Sequence, residues 1–523
     1  MKFVRAMALC ATLALLSGCG GGGGGGGSST PTPTLAVTLA SSSGSGSVTE
    51  GATTANFTVT ANVSGNSAGG AVVADLAYDK AVYSSVVASQ TSGGYSIAAT
   101  TLPDLAGAAY SSPITLRLCQ ETACTHVYSG TTVTYNYDLT VKLREWGTYQ
   151  RDAAHTGYVH TVLDPTKFTK AWTWTGATSN VAAVVSANGR AYFSADKLYS
   201  VDEATGAVKW SQALTAAPAL SFVGAPAVDN GTVYVAGLVT GSGGTATGTA
   251  YIRAFDASGG GYKFDTAFSH DEDRLNSPVI QGGDLFFVGP SFLSTVNRYA
   301  LASGSLTWTT PSSVFSMVDV GQTPAVDSNY VYYSTGYSLV ISNRSDGSLV
   351  ARVGDTFAGG GSGLYMSAPM ITAGGHVLTL NLQTGAQIMA VSPATKAVAW
   401  RSGVGYFSGG TTVGNTIYAE RSVLVGSTWT HTVDAISDTD GHVLWSWPLP
   451  AGETPKNNMV LCDNLLFVGT GTHVYAIDLT THNSVWSFAG NGALSLSSGS
   501  VLYIAEADAY PGGTGKVTAI KVK

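Results

Sequence analysis

Between residues 201 and 486 one pattern returns seven times, and it limits the fold more than any other feature of the chain. Its clearest copy is Val201-Asp202-Glu203-Ala204-Thr205-Gly206-Ala207-Val208-Lys209-Trp210. Counted back from the closing Trp, Gly stands at −4, Thr at −5 and Asp at −8. Equivalent endings fall at Phe264, Trp308, Ala351, Trp400, Trp445 and Trp486, at intervals of 54, 44, 43, 49, 45 and 41 residues. Gly fills −4 in five copies (Gly206, Gly260, Gly304, Gly347 and Gly441), and Lys396 and His482 take the other two places. Asp recurs at −8 as Asp202, Asp256 and Asp478, with Asn343 as a substitute. A period of this length marks a small unit that cannot bury its apolar face alone and must stack on its neighbours.

Each unit predicts a hairpin. An Asp or Asn side chain accepts from backbone N–H groups at a turn, and Gly supplies a positive φ there. The following strand ends in a large side chain able to wedge against the next unit. Upstream lies a second strand pair, clearest at Asp229-Asn230-Gly231-Thr232-Val233-Tyr234-Val235, where Asn-Gly predicts a tight turn. Four strands per period make one blade of a β-propeller.

The repeat resembles the PQQ-type propeller, whose unit reads A-x-D-x-x-T-G-x-x-x-W, over residues 168–523. Trp146-Gly147-Thr148-Tyr149-Gln150-Arg151-Asp152-Ala153-Ala154-His155-Thr156-Gly157-Tyr158 also looks like the lead-in of that superfamily. The ends predict the blade count. Val517-Thr518-Ala519-Ile520-Lys521-Val522-Lys523 begins a further unit that never reaches its Trp, and Phe168-Thr169-Lys170-Ala171-Trp172 is the end of a unit without a beginning. Joined, they make one split blade, so eight blades are expected, closed by strands from both ends. The docking aromatics are then Trp172, Trp210, Phe264, Trp308, Trp400, Trp445 and Trp486.

Ahead of the repeats the chain reads as an address, a tether and a small domain. Lys2 and Arg5 precede the 11-residue apolar run Ala6–Leu16, too short to span a bilayer, which takes about 20 residues, but suited to a signal peptide. Leu16-Ser17-Gly18-Cys19 resembles a bacterial lipobox, which implies cleavage after residue 18 and lipidation of Cys19. Gly20 is not the Asp that retains lipoproteins at the inner membrane, so the resemblance implies a lipid-anchored outer-membrane protein, facing the periplasm or the surface. Residues 19–34, with eight consecutive glycines and a Thr-Pro run, form a linker, flexible and then extended. In residues 35–143, period-two runs such as Phe57-Thr58-Val59-Thr60-Ala61-Asn62-Val63 predict about seven strands of an antiparallel sandwich. Their end resembles bacterial immunoglobulin-like modules. Residues 144–523 form the propeller domain.

Cysteine usage agrees with export. Cys119 and Cys124 fit a local disulfide at a hairpin tip. A metal site with His126 is the alternative; its spacing is not that of a zinc knuckle. Cys462 reads as a buried small hydrophobe.

Composition narrows the function. A net charge of −7 with only 11% charged residues argues against nucleic acid, whose binding needs clustered Lys and Arg. Asp152 and His155 are the most site-like pair, since a carboxylate can orient an imidazole. A polar loop whose side chains satisfy backbone groups is the reading favoured for them. Asp271-Glu272-Asp273 and Asp438-Thr439-Asp440-Gly441 lack the spacing of a calcium loop. Gly65-Asn66-Ser67-Ala68-Gly69 matches a nucleophile-elbow pattern but lies in a polar stretch of the small domain and predicts a turn. Catalytic quinoproteins carry adjacent cysteines or an attached haem, and this chain has neither adjacent Cys nor C-x-x-C-H.

The expectation is therefore an all-β protein without catalytic, cofactor-binding or metal-binding residues. It would serve as a monomeric, lipid-anchored binding scaffold for envelope proteins, on the pattern of the BamB-like lipoproteins and their part in outer-membrane protein assembly. A surface adhesin or glycan binder is the second reading, and a PQQ-dependent dehydrogenase is the disfavoured third.

Overall fold

The computed structural model describes residues 32–51, 54–176, 181–214, 220–239, 248–270, 277–289, 295–310, 323–334, 338–354, 368–381, 385–407, 410–506 and 514–523. Cys19, its linker as far as residue 31, and Asp271-Glu272-Asp273 lie outside them. The fold is all-β, with one 3-10 turn at Pro165–Lys167 as its helical element among the described residues. None of the described helices is long and apolar enough to cross a membrane. The chain divides into two compact units.

The first unit comprises residues 1–44, 56–100 and 112–137. One sheet runs in the order Ala36–Leu39, Asn56–Ser64, Gly94–Thr101, Tyr83–Thr91, and Val73–Ala77 pairs with Ile114–Cys119 in another. Alternation aims Val59, Ala61, Ile97 and Ala99 inward. Phe57 stacks on Tyr137 at 3.9 Å between ring centres and meets Tyr83 edge to face. Cys119 and Cys124 are disulfide-bonded, with Cα atoms 5.0 Å apart. Among the described residues from Ala36 to Lys142, which the two units share, there are nine strands against the seven or so expected, because short pieces such as Ala109–Ser111, in the second unit, carry too few residues to show a period. Residues 65–69 form a turn: the Asn66 side chain accepts from the Ala68 N–H, and Ala68 has φ +55°.

The second unit comprises residues 45–55, 101–111 and 138–523. Among the described residues it holds eight antiparallel repeat sheets, and their first strands are Val185–Ala187, Ala227–Asp229, Val279–Gln281, Ala325–Val326, Met370–Ile371, Thr411–Val413, Pro455–Cys462 and Ala493–Leu496. Several of these first strands lie side by side between consecutive sheets, as in a β-propeller. Nearly all of their second strands are continuous apolar runs, for example Asp284–Val288 and Val501–Glu506, because the sheets are covered on both faces. The last sheet takes strands from two distant stretches: Thr169–Thr175 pairs antiparallel with Lys516–Lys521, which pairs in turn with Val501–Glu506.

Successive sheets interlock through the repeat motif. The Asp202 carboxylate accepts from the Thr205 N–H and hydroxyl, and its carbonyl accepts from Gly206 at φ +72°. Asp256 and Asp478 cap their turns in the same way. The closing Trp of one unit then lies over the glycine of the next. A Cβ on Gly206 would stand 2.6 Å from the Trp172 ring, one on Gly260 2.7 Å from Trp210, and one on Gly441 2.4 Å from Trp400. Each indole N–H donates to a turn carbonyl of the same neighbour: Trp172 to Glu203, Trp210 to Ala257, Trp308 to Arg344, Trp400 to Asp438. Phe264 has no N–H, and the Thr266 hydroxyl donates to the Gly304 carbonyl instead.

The two glycine exceptions follow from this contact. Lys396 (φ +56°) comes one unit after Ala351, where no indole needs the space. His482 (φ +57°) stacks flat on Trp445, 4.2 Å between ring centres and 15° between planes.

Candidate functional site: a strap along the first strands

The lead-in segment 146–161 has no repeat of its own, yet it touches seven repeat sheets in chain order. The Trp146 carbonyl accepts from the Ser186 N–H and the Gly147 carbonyl from Val228. The Thr148 hydroxyl donates to the Pro278 carbonyl. The carbonyls of Ala153, Ala154, Thr156 and Gly157 then accept from Val326, Ile371, Thr412 and Leu461, all at 2.7–3.0 Å. The segment ends by pairing in parallel, Tyr158 with Leu461 and Val159 with Cys462. The first strand of a repeat sheet has an open edge, and the strap satisfies its N–H groups where water would otherwise be needed.

Following that path requires turns that ordinary residues avoid. Gln150, Arg151 and His155 have φ of +48°, +76° and +61°, each costing about 1–2 kcal/mol. Their side chains hold them there. The Gln150 carbonyl oxygen accepts from Asn458, whose side chain also pairs with the Leu494 backbone and so reaches the eighth sheet. Arg151 is buried and paired with Glu50. That carboxylate accepts from both terminal guanidinium nitrogens and from the backbone N–H groups of Arg144 and His160. Arg151 also donates to the Tyr158 and Arg144 carbonyls.

Asp152 and His155 do not pair through their side chains. Asp152 caps its own turn, accepting from the Ala154 and Thr156 N–H groups and the Thr156 hydroxyl. His155 is buried, which lowers its pKa to about 4, so the ring is neutral at pH 7. Its Nδ1 lies 2.7 Å from the Pro369 carbonyl and donates to it, since a carbonyl only accepts. Nε2 finds no hydrogen-bond partner among the described residues. A second polar group sits at the end of the strap: the Tyr158 hydroxyl and His160 Nδ1 both meet Asp463.

Among the described residues, clefts on this unit bring charged groups together at two places. One, of about 400 Å³, is lined by Glu145, Glu203 and Lys523 with backbone from Gly107 to Ala109; burial and the neighbouring Glu145 charge raise the Glu203 pKa. The other, of about 660 Å³, contains Arg298 and Arg344, both bonded to Asp284. No group of three or more His, Cys, Asp or Glu among the described residues is placed to hold a metal ion. Asp438, in the stretch first weighed for calcium, accepts instead from Thr372 and His376. Sequence reasoning missed Glu50, Gln150, Arg151 and Asn458, because the side-chain pairs that join them, Glu50 with Arg151 and Gln150 with Asn458, are 101 and 308 residues apart.

Sheets linked by Trp-on-Gly contacts and Asp-capped turns define a β-propeller of the PQQ-like repeat class. The family model described as outer membrane protein assembly factor BamB matches residues 155–402 and 384–523, and the chain belongs to that family. No curated protein matches the chain. Among solved structures, "KlHsv2 with loop 6CD replaced by a Gly-Ser linker" aligns with 60% of this chain and 86% of its own, at 8% identity and a TM-score of 0.34.

Proposed function

We propose that the protein is a lipid-anchored, non-enzymatic scaffold of the bacterial envelope that binds other envelope proteins through a closed eight-bladed propeller, with a role in outer-membrane protein assembly. The small sandwich is an immunoglobulin-like module. Membership of the BamB family supports a protein-interaction role. The observation that carries the non-enzymatic part is the commitment of the strap's polar groups to its own fold: Arg151 to Glu50, Asp152 to its turn, His155 Nδ1 to Pro369. The pairing of Thr169–Thr175 with Lys516–Lys521 supports ring closure, and the lipobox-like Leu16-Ser17-Gly18-Cys19 supports the anchor.

The test is mild detergent extraction of the tagged protein from its own envelope, followed by mass spectrometry. Enrichment of a barrel-insertion complex is the expected result. Recovery of polysaccharide or host glycan instead would favour the adhesin reading. Dye reduction by the purified protein with PQQ and calcium would overturn the scaffold reading. Metabolic labelling with a radioactive fatty acid should mark the protein and not its Cys19→Ser variant, and equal labelling of the two, or none of either, would refute the anchor.

A further inference from the structure

One hairpin of the ring unit runs past its own sheet. Strands Thr416–Val425 and Thr428–Ser437 have 10 residues each, whereas the corresponding pair Tyr330–Ser334 and Ser338–Asn343 has 5 and 6. The first strand of the sheet reaches only as far as Tyr418, and the outer strand only as far as Thr432. Beyond Ser422, which donates to the Gly405 carbonyl, the ribbon continues by itself. Every residue from Leu424 to Thr430 is exposed.

The tip is apolar on both faces. Leu424 lies directly opposite Trp429, and Val425 opposite Thr428, so alternation places Val425 on the face away from Leu424 and Trp429. These three side chains are 54%, 63% and 54% exposed. Together they offer on the order of 300 Å² of apolar surface, well below the ~800 Å² per partner of a stable protein interface. A protein groove would also cover one face of the ribbon and leave the other wet. A medium that surrounds the tip removes both faces from water.

The charge distribution points to the same medium. The chain carries 32 acidic and 25 basic residues, yet no Asp or Glu occurs between Arg421 and Val433. The carboxylates at the base of the ribbon, Glu420 and Asp434, are buried. The neighbouring segment 401–407 is also free of acids, and Arg421 donates into it at the Val404 carbonyl. Arg421 is itself paired with Asp434, 4.0 Å away, so the ribbon projects as an uncharged apolar tip with an indole, which matches the interfacial zone of a bilayer, where Trp favours the headgroup level.

We propose that the 422–431 hairpin tip inserts into the interface of phospholipid membranes, a second membrane contact that stands apart from any anchor at Cys19. The test uses the chain from Gly20 onward, which keeps every described residue and carries neither acyl chain nor apolar leader. It is sedimented with phosphatidylglycerol-rich vesicles. Binding is expected, and Leu424→Ser with Trp429→Ser should weaken it about tenfold or more while the melting temperature stays unchanged. In a second measurement brominated phospholipid should quench Trp429, a signal lost in Trp429→Phe. Absence of vesicle binding by the Gly20 chain, or equal binding by the double variant, would overturn the proposal. So would a self-association that the double variant abolishes without any vesicle binding, since the occupant would then be a second copy of the chain.

Discussion

Glu50 and Arg151 stand 101 residues apart in sequence and form a two-point ion pair with side chains 3% and 1% exposed. The carboxylate also receives two backbone N–H groups, so its acceptor sites are filled and its pKa is held below the usual range despite the burial that opposes this. The pair ties residues 45–55 to the strap within one compact unit.

Removing one partner leaves the other charged and buried. Arg151→Met should therefore destabilise the protein by about 3–5 kcal/mol. Glu50→Gln combined with Arg151→Met should cost less than Arg151→Met alone. Denaturant unfolding midpoints of the two variants check this, and a double variant no more stable than the single one would refute it.

The Trp-on-Gly contact separates two demands on one residue. Gly441 needs both a positive φ and room for Trp400, so Gly441→Ala should cost roughly 2 kcal/mol or more from strain and overlap together. Lys396 needs only the positive φ, because Ala351 precedes it. Lys396→Gly should be neutral or stabilising by up to about 1 kcal/mol. Thermal melts of both variants decide it.

Glu453 gives a pH dependence in the acid range. Its burial opposes the charge, but bonds from the Thr472 and Thr470 hydroxyls, His473 and the Thr472 N–H lower its pKa to about 2. A depressed acid stabilises the fold above its unfolded value, near ~4.3. That contribution is lost as the pH falls through about 2. Glu453→Gln should thus lower stability at pH 7 and have little effect at pH 2, measured by chemical unfolding at both.

His160 has the opposite sign. Burial opposes its charge, yet the hydrogen bond and charge of Asp463 raise its pKa. Its contribution is full below the unfolded value, near ~6.5, and is lost as the pH rises through the folded one. Asp463→Asn should reduce stability more at pH 5.5 than at pH 8.5.

Strand Lys516–Lys521 is paired on both sides. Deleting residues 514–523 exposes the edges of Thr169–Thr175 and Val501–Glu506 together, so aggregation is expected rather than a modest drop in melting temperature. Size-exclusion chromatography of the truncated protein reads this directly.

The repeats were legible because their causes are local. Asp202, Gly206 and Trp210 each act within one turn or one neighbouring unit, so spacing alone exposes them. The joining of the two chain ends was legible for the same reason: each end carries half of a pattern known from seven other copies. The strap was not. Its bonds are mostly backbone carbonyls of residues such as Ala153 and Gly157, which leave no trace in side-chain identity. Asp152 and His155 drew notice as a pair, whereas the chemistry of the segment lies in Arg151, whose partner has no motif. The long hairpin was missed because Leu424 and Trp429 look like core residues until the register places them beyond the sheet.

The strap also sets an order of events during synthesis. It emerges from the ribosome before any of the strands it joins, and Gly157 must wait for Leu461, some three hundred residues later. Contacts of such sequence separation form slowly. Earlier sheets can take their strap bonds as they form, but those at Thr156 and Gly157 wait for Thr412 and Leu461, and partly folded chains are prone to aggregate. A chain built this way completes its cover only when its last hundred residues are present.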